Sequence, residues 1–134
     1  MSVLRASASC LLLGTFLLAA PAVAGEAANA QTIQVQMSNY DFAPRTLELR
    51  VNTAYRLRLT NTSHSDHSFD APQLFAAASI EPADQAKVAD GDIEVNSGKT
   101  VEVTFTPIRS GTYMVRCSHF LHSAFGMKGE AVVR

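Results

Sequence analysis

Residues 117–127, CSHFLHSAFGM, place one cysteine, two histidines and one methionine within eleven positions near the end of a 134-residue chain. A thiolate and a thioether are soft donors and imidazole is borderline, so together they favour copper, bound as both Cu(I) and Cu(II). Magnesium and calcium would call for carboxylates instead. Zinc accepts cysteine and histidine but rarely methionine, so Met127 separates the two cases. Two plainer readings compete: a catalytic thiol beside a histidine, and a buried strand end that happens to carry soft side chains.

Spacing selects donors. Four residues separate Cys117 from His122 and four more separate His122 from Met127, so a single loop between two strands can fold three donors around one ion. The chain has four histidines, in two clusters: His64 and His67 in NTSHSDHSF, and His119 and His122 after the cysteine. In an extended chain His67 and Phe69 share a face, so Phe69 can enter the core while His67 points at the site. His64, in a serine-rich turn, reads as solvated. His119, two residues after Cys117, reads as a loop residue outside the donor set, with its ligation left open. Phe120, Leu121 and Phe125 are expected to form an apolar collar around His122, whereas Met37 faces the core and Met114 faces outward.

These donors need elements to bring them together. Period-two alternation dominates the chain and predicts half-buried strands: Ile33, Val35 and Met37; Leu47, Leu49 and Val51; Tyr55, Leu57 and Leu59; Val101, Val103 and Phe105; Tyr113, Val115 and Cys117; then a closing GEAVVR. NYDFAP, NTSHSD, NSGK and PIRSG read as turns between them. Many short strands at this spacing predict an antiparallel sandwich or small barrel. The alanine-rich stretch 71–92 breaks the pattern and predicts a short helix over 73–79, then an irregular connection between sheets.

The segment from Met1 to Ala24 has the build of a secretory signal peptide: Arg5, an apolar run from Cys10 to Ala20, and small residues ending in AVA at Ala24, with a later cut after Ala30 as the alternative. The run is shorter than the roughly 20 residues a spanning helix needs. The expected mature chain, residues 25–134, is a single domain with one cysteine, Cys117, so it has no internal disulfide. An unpaired thiol in an oxidising compartment calls for an explanation, and metal ligation supplies one. Its net charge near minus two gives no sign of nucleic acid or an anionic membrane as partner.

Four stretches, YDFAPRTLELRVNTAYRLRLTN, HSF, VEVTFTPIRSGTYMVRC and HSAFGMKGEAVV, together resemble the cupredoxin family of blue copper proteins, in the form with a C-x4-H-x4-M loop similar in spacing to that of rusticyanin. The resemblance implies an all-β Greek-key sandwich with one short helix in a connection, and one type 1 copper per chain held by His67, Cys117, His122 and Met127. It also implies a monomeric, periplasmic one-electron carrier between redox partner proteins. Asp66 departs from the pattern, standing where azurin has a glycine. The alternative is a periplasmic copper-handling protein for binding, delivery or tolerance, motivated by the extra donors His64 and His119. A thiol enzyme built on Cys117 ranks below both, because no third residue is apparent to orient its histidine; no enzyme activity, nucleic-acid partner or stable membrane insertion is expected.

Overall fold

Alternating apolar and polar side chains produce ten strands in the computed structural model, which describes residues 28–134. The leader expected over 1–24 lies outside the described residues. The strands are β1 (Gln31–Ser38), β2 (Asp41–Ala43), β3 (Thr46–Leu49), β4 (Tyr55–Asn61), β5 (His67–Asp70), β6 (Ala78–Ile80), β7 (Asp92–Val95), β8 (Thr100–Pro107), β9 (Gly111–Arg116) and β10 (Lys128–Val133). They form two five-stranded sheets, ordered β2-β1-β4-β8-β6 and β3-β10-β9-β5-β7. Most pairings are antiparallel; β1 with β4 and β3 with β10 run parallel. The architecture is the all-β sandwich expected, with one short helix in a connection.

The inward faces are those the alternation marks. Val35, Met37, Leu47, Leu49, Leu57, Leu59, Val103 and Val115 are buried, and Met114 faces out at 64 % exposure. A relay of rings ties the layers together: Phe42 of β2 meets Phe69 of β5 at 5.9 Å, Phe69 meets Phe75 at 6.3 Å, and Phe75 meets Phe105 of β8 at 5.7 Å, all edge to face. This is the favoured arrangement of aromatic quadrupoles.

The stretch 71–92 departs from expectation in detail. Its helix α1 spans Pro72–Ala76, with proline in the first turn, where a missing N–H costs nothing. It ends early because Ala78–Ile80 pairs with β8, Ala78 opposite Pro107 and Ile80 opposite Phe105. Ladder formation here overrides the helix propensity of alanine. The following 3-10 turn, Pro82–Lys87, is pinned by Asp84, which accepts the Thr104 N–H at 2.8 Å and the Lys87 ammonium at 2.6 Å. The chain therefore leaves the β5 sheet, joins the other, and returns as β7. Gly91 closes the return: its φ is +85°, and a Cβ there would lie 2.3 Å from the Pro72 Cα. NYDFAP also differs from a plain turn, since β2 occupies 41–43 and pairs back on β1.

Phe69 is central to this packing. Phe69→Ala is expected to destabilise the metal-free protein by about 3–5 kcal/mol, the range for emptying a buried aromatic site, as read by chemical denaturation.

Candidate metal centre

Two backbone registers place the donors. Along the β9–β10 ladder, Arg116 lies opposite Lys128. One step farther, Cys117 faces Met127, and the Cys117 N–H donates to the Met127 carbonyl at 3.1 Å. Arg116 and Lys128 point to solvent, so the next pair points inward, and both sulfur residues are fully buried. Cross-strand partners hold their Cβ atoms about 5 Å apart, which puts thiol and thioether on one face. The nine residues between them close on themselves: His122 N–H bonds to His119 O at 3.1 Å, and Met127 N–H to His122 O at 3.1 Å. Leu121 with φ 62° and Gly126 with φ 104° turn the chain back.

The second register joins β5 to β9, with Asp70 opposite Arg116. Alternation from Asp70 carries Phe69 and His67 inward, and His67 is completely buried. The resulting cluster is tight. His67 Nδ1 lies 3.1 Å from His122 Nδ1, and the Cys117 Sγ lies 3.8 Å and 3.5 Å from those two nitrogens. A point equidistant from the three donors sits about 2.0 Å from each, within the roughly 2.0–2.3 Å span of metal bonds to imidazole nitrogen and thiolate sulfur. Among the described residues this is the one group of three or more histidine, cysteine or carboxylate side chains arranged to hold a metal ion.

Neighbouring groups fix the donors. His67 Nε2–H donates to Asn39 Oδ1 at 2.9 Å, so the neutral ring presents its lone pair at Nδ1. The Ser68 N–H donates to the Cys117 sulfur at 3.4 Å. Ser68 is held in turn: its Oγ accepts the Ser118 N–H at 2.9 Å and lies 2.8 Å from Ser118 Oγ, whose hydroxyl donates to Asp92 Oδ2 at 2.7 Å. Arg116 Nε donates to Asp70 at 2.7 Å, offsetting the juxtaposition of Asp70 with Asp92 across the ladder.

The four residues singled out in the sequence are thus brought to one pole. His119 is not part of the triangle. Its Nε2 sits on the Glu94 carboxylate at 2.9 and 3.1 Å, and its ring stacks on His122 at 5.5 Å. His64 is exposed, and Asp66 accepts the Ser97 N–H at 2.7 Å. Phe120, Leu121 and Phe125 are exposed around the loop, Phe120 at 87 %. Sequence reasoning missed Asn39, Tyr40, Ser68, Ser118 and Asp92. For Ser68 and Ser118 a signal existed, since each directly follows a predicted donor; for Asn39 and Tyr40, inside a turn well upstream of His67, none did.

A family model described as a cupredoxin-like domain matches residues 8–133. Among solved structures, auracyanin B is 26 % identical, with a TM-score of 0.57 over 78 % of this chain and 89 % of its own. An auracyanin from Roseiflexus castenholzii is 22 % identical, with a TM-score of 0.59 over 78 % of this chain and 98 % of its own. Auracyanin A, a "blue" copper protein from Chloroflexus aurantiacus, is 22 % identical at 0.56, over 77 % and 98 %. A multicopper oxidase from Campylobacter jejuni, 14 % identical at 0.59, is matched over 30 % of its length and shares the fold alone. None of the curated protein sequences compared matches the chain.

Burial, then the neighbouring His122 and His119 charges, lowers the His67 pKa; burial, then His119, lowers that of His122. The unfolded chain therefore binds more protons than the folded one below the ordinary histidine pKa of about 6.5. Stability of the metal-free protein is expected to be flat above that value and to fall as pH drops through it toward the lower folded pKa values, measurable as a denaturation midpoint that declines once the pH is taken below about 6.5.

Proposed function

The chain belongs to the cupredoxin-like family, and from that premise we propose that it is an exported blue copper protein that carries one electron at a time between redox partners. The cofactor is copper, one ion per chain, with His67, Cys117, His122 and Met127 as its ligands. The observation that carries the reading is the ready-made triangle of two imidazole nitrogens and a thiol sulfur beside a buried methionine. Copper held by such a set would supply one-electron chemistry, at a potential tuned by its sulfur donors and by hydrogen bonding around the cysteine sulfur.

Each residue has a separate task. Cys117 and Met127, fixed across one strand pair, supply sulfur from a face that water does not reach. His67 is held by Asn39 in the tautomer that leaves Nδ1 free. The Ser68 amide withdraws charge from the Cys117 sulfur. Because both imidazoles already face the sulfur, little has to move when an electron arrives or leaves. His122 is the partly exposed member, and the apolar surface of Phe120, Leu121 and Phe125 surrounds its loop. That surface suits brief docking with another redox protein, the imidazole edge serving as the electron's entrance.

Supporting export, the segment from Met1 to Ala24 carries the features of a cleaved leader, and we place the mature domain, residues 25–134, in the periplasm. Among the described residues no helix is long and apolar enough to cross a membrane. A copper-handling role draws less support, because His119 is engaged by Glu94 and His64 stands apart from the cluster.

Adding Cu(II) to the metal-free mature protein is expected to give intense thiolate-to-copper absorption at one equivalent, with a narrow copper hyperfine splitting in the EPR spectrum. Cys117→Ser should abolish the colour, and a colourless wild type would end the proposal. Fast electron self-exchange is expected of a carrier; slow exchange with ready transfer of metal would favour copper handling. Asn39→Ala, which frees the His67 ring, is expected to weaken copper binding about 10- to 100-fold, as measured by competition with a chelator.

A further inference from the structure

Solvent has a restricted route to the donors. His67, Cys117 and Met127 are buried to within 1 %, leaving His122 as the approach. The His122 ring is covered in turn. Tyr40 packs against it with centroids 4.9 Å apart, meets the edge of His67 at 6.4 Å, and backs onto Phe125 at 5.1 Å. His119 also stacks on His122, but it is tied to Glu94.

We propose that Tyr40 is the gate of this site, a ring whose displacement sets how fast copper, chelators and thiol reagents reach Cys117. The proposal rests on the copper reading above for its metal and on the packing alone for the thiol. Tyr40 comes from neither donor segment. It sits in the two-residue turn between β1 and β2, where Ser38 pairs with Asp41. The preceding residue, Asn39, anchors that turn to His67. The foot of the gate is therefore fixed, while Tyr40, 36 % exposed as a residue, has its ring held by edge and tilted ring contacts. Such contacts are individually weak and break on rotamer change. Rotation about the side-chain bonds of Tyr40 opens the His122 face without moving a ligand. The gate thus governs exchange rather than affinity.

Two rates test this. In metal-free protein, labelling of Cys117 by an aromatic disulfide, in which the thiolate displaces one aryl thiolate, is expected to run roughly tenfold faster in Tyr40→Ala than in the wild type, as fits the loss of the three ring contacts. Tyr40→Phe, which keeps the ring, is expected to restore the slow rate. In protein loaded with Cu(I), release of that ion to bathocuproine disulfonate should show the same order. Wild-type rates in Tyr40→Ala would overturn the gate. So would an equal acceleration in Phe69→Ala, which loosens the core but leaves Tyr40 in place. A wild type that binds no copper would end the functional reading, and the thiol rates would still decide the gate.

Discussion

The arrangement depends on what happens where β5 meets β9. Sheet pairing between them amounts to one register position, Asp70 with Arg116. Beyond it, toward the pole, hydroxyls take over from the ladder: the Ser118 amide and hydroxyl meet the Ser68 hydroxyl, and the Ser68 amide meets the Cys117 sulfur. His67 and Cys117, 50 residues apart in sequence, are neighbours because this short polar seam holds the two strands at the right offset. A continuous ladder would have bound the Ser68 amide to a carbonyl and left the sulfur without its donor. The seam therefore makes strand pairing and sulfur chemistry the same interaction.

Burial supplies the second condition. Burial lowers the pKa of both imidazoles and so favours the neutral form, which is the one that donates to a metal. The Asn39 contact then decides which nitrogen of His67 carries the proton. Removing water strengthens each remaining contact, so a single amide near the thiolate matters more here than it would at the surface. Carboxylates near the site have partners of their own, Arg116 for Asp70 and His119 for Glu94.

Much of this was legible in the chain. Alternation marked inward residues in five runs because a half-buried strand imposes period two on its own sequence. The donor loop was legible because hairpin geometry relates Cys117 and Met127 locally. The helix falls at 72–76 rather than 73–79, since its end is set by pairing with β8, a strand far along the chain. Asn39, Tyr40 and Asp92 escaped for the same reason, while Ser68 and Ser118 were marked only by following a predicted donor. Small polar residues and a turn tyrosine carry no periodic signature, and their importance exists only in the folded contacts.

The Cys117–Met127 strand pair also separates framework from function. Both sulfur positions sit one step beyond the ladder, joined by a single backbone hydrogen bond, whereas the nine residues between them hang from a closed backbone ring. Insertions, deletions or transplanted sequence could enter that span without disturbing the sandwich. Natural variation can therefore change the imidazole and its surroundings as a replaceable cassette, without touching the strands that carry it.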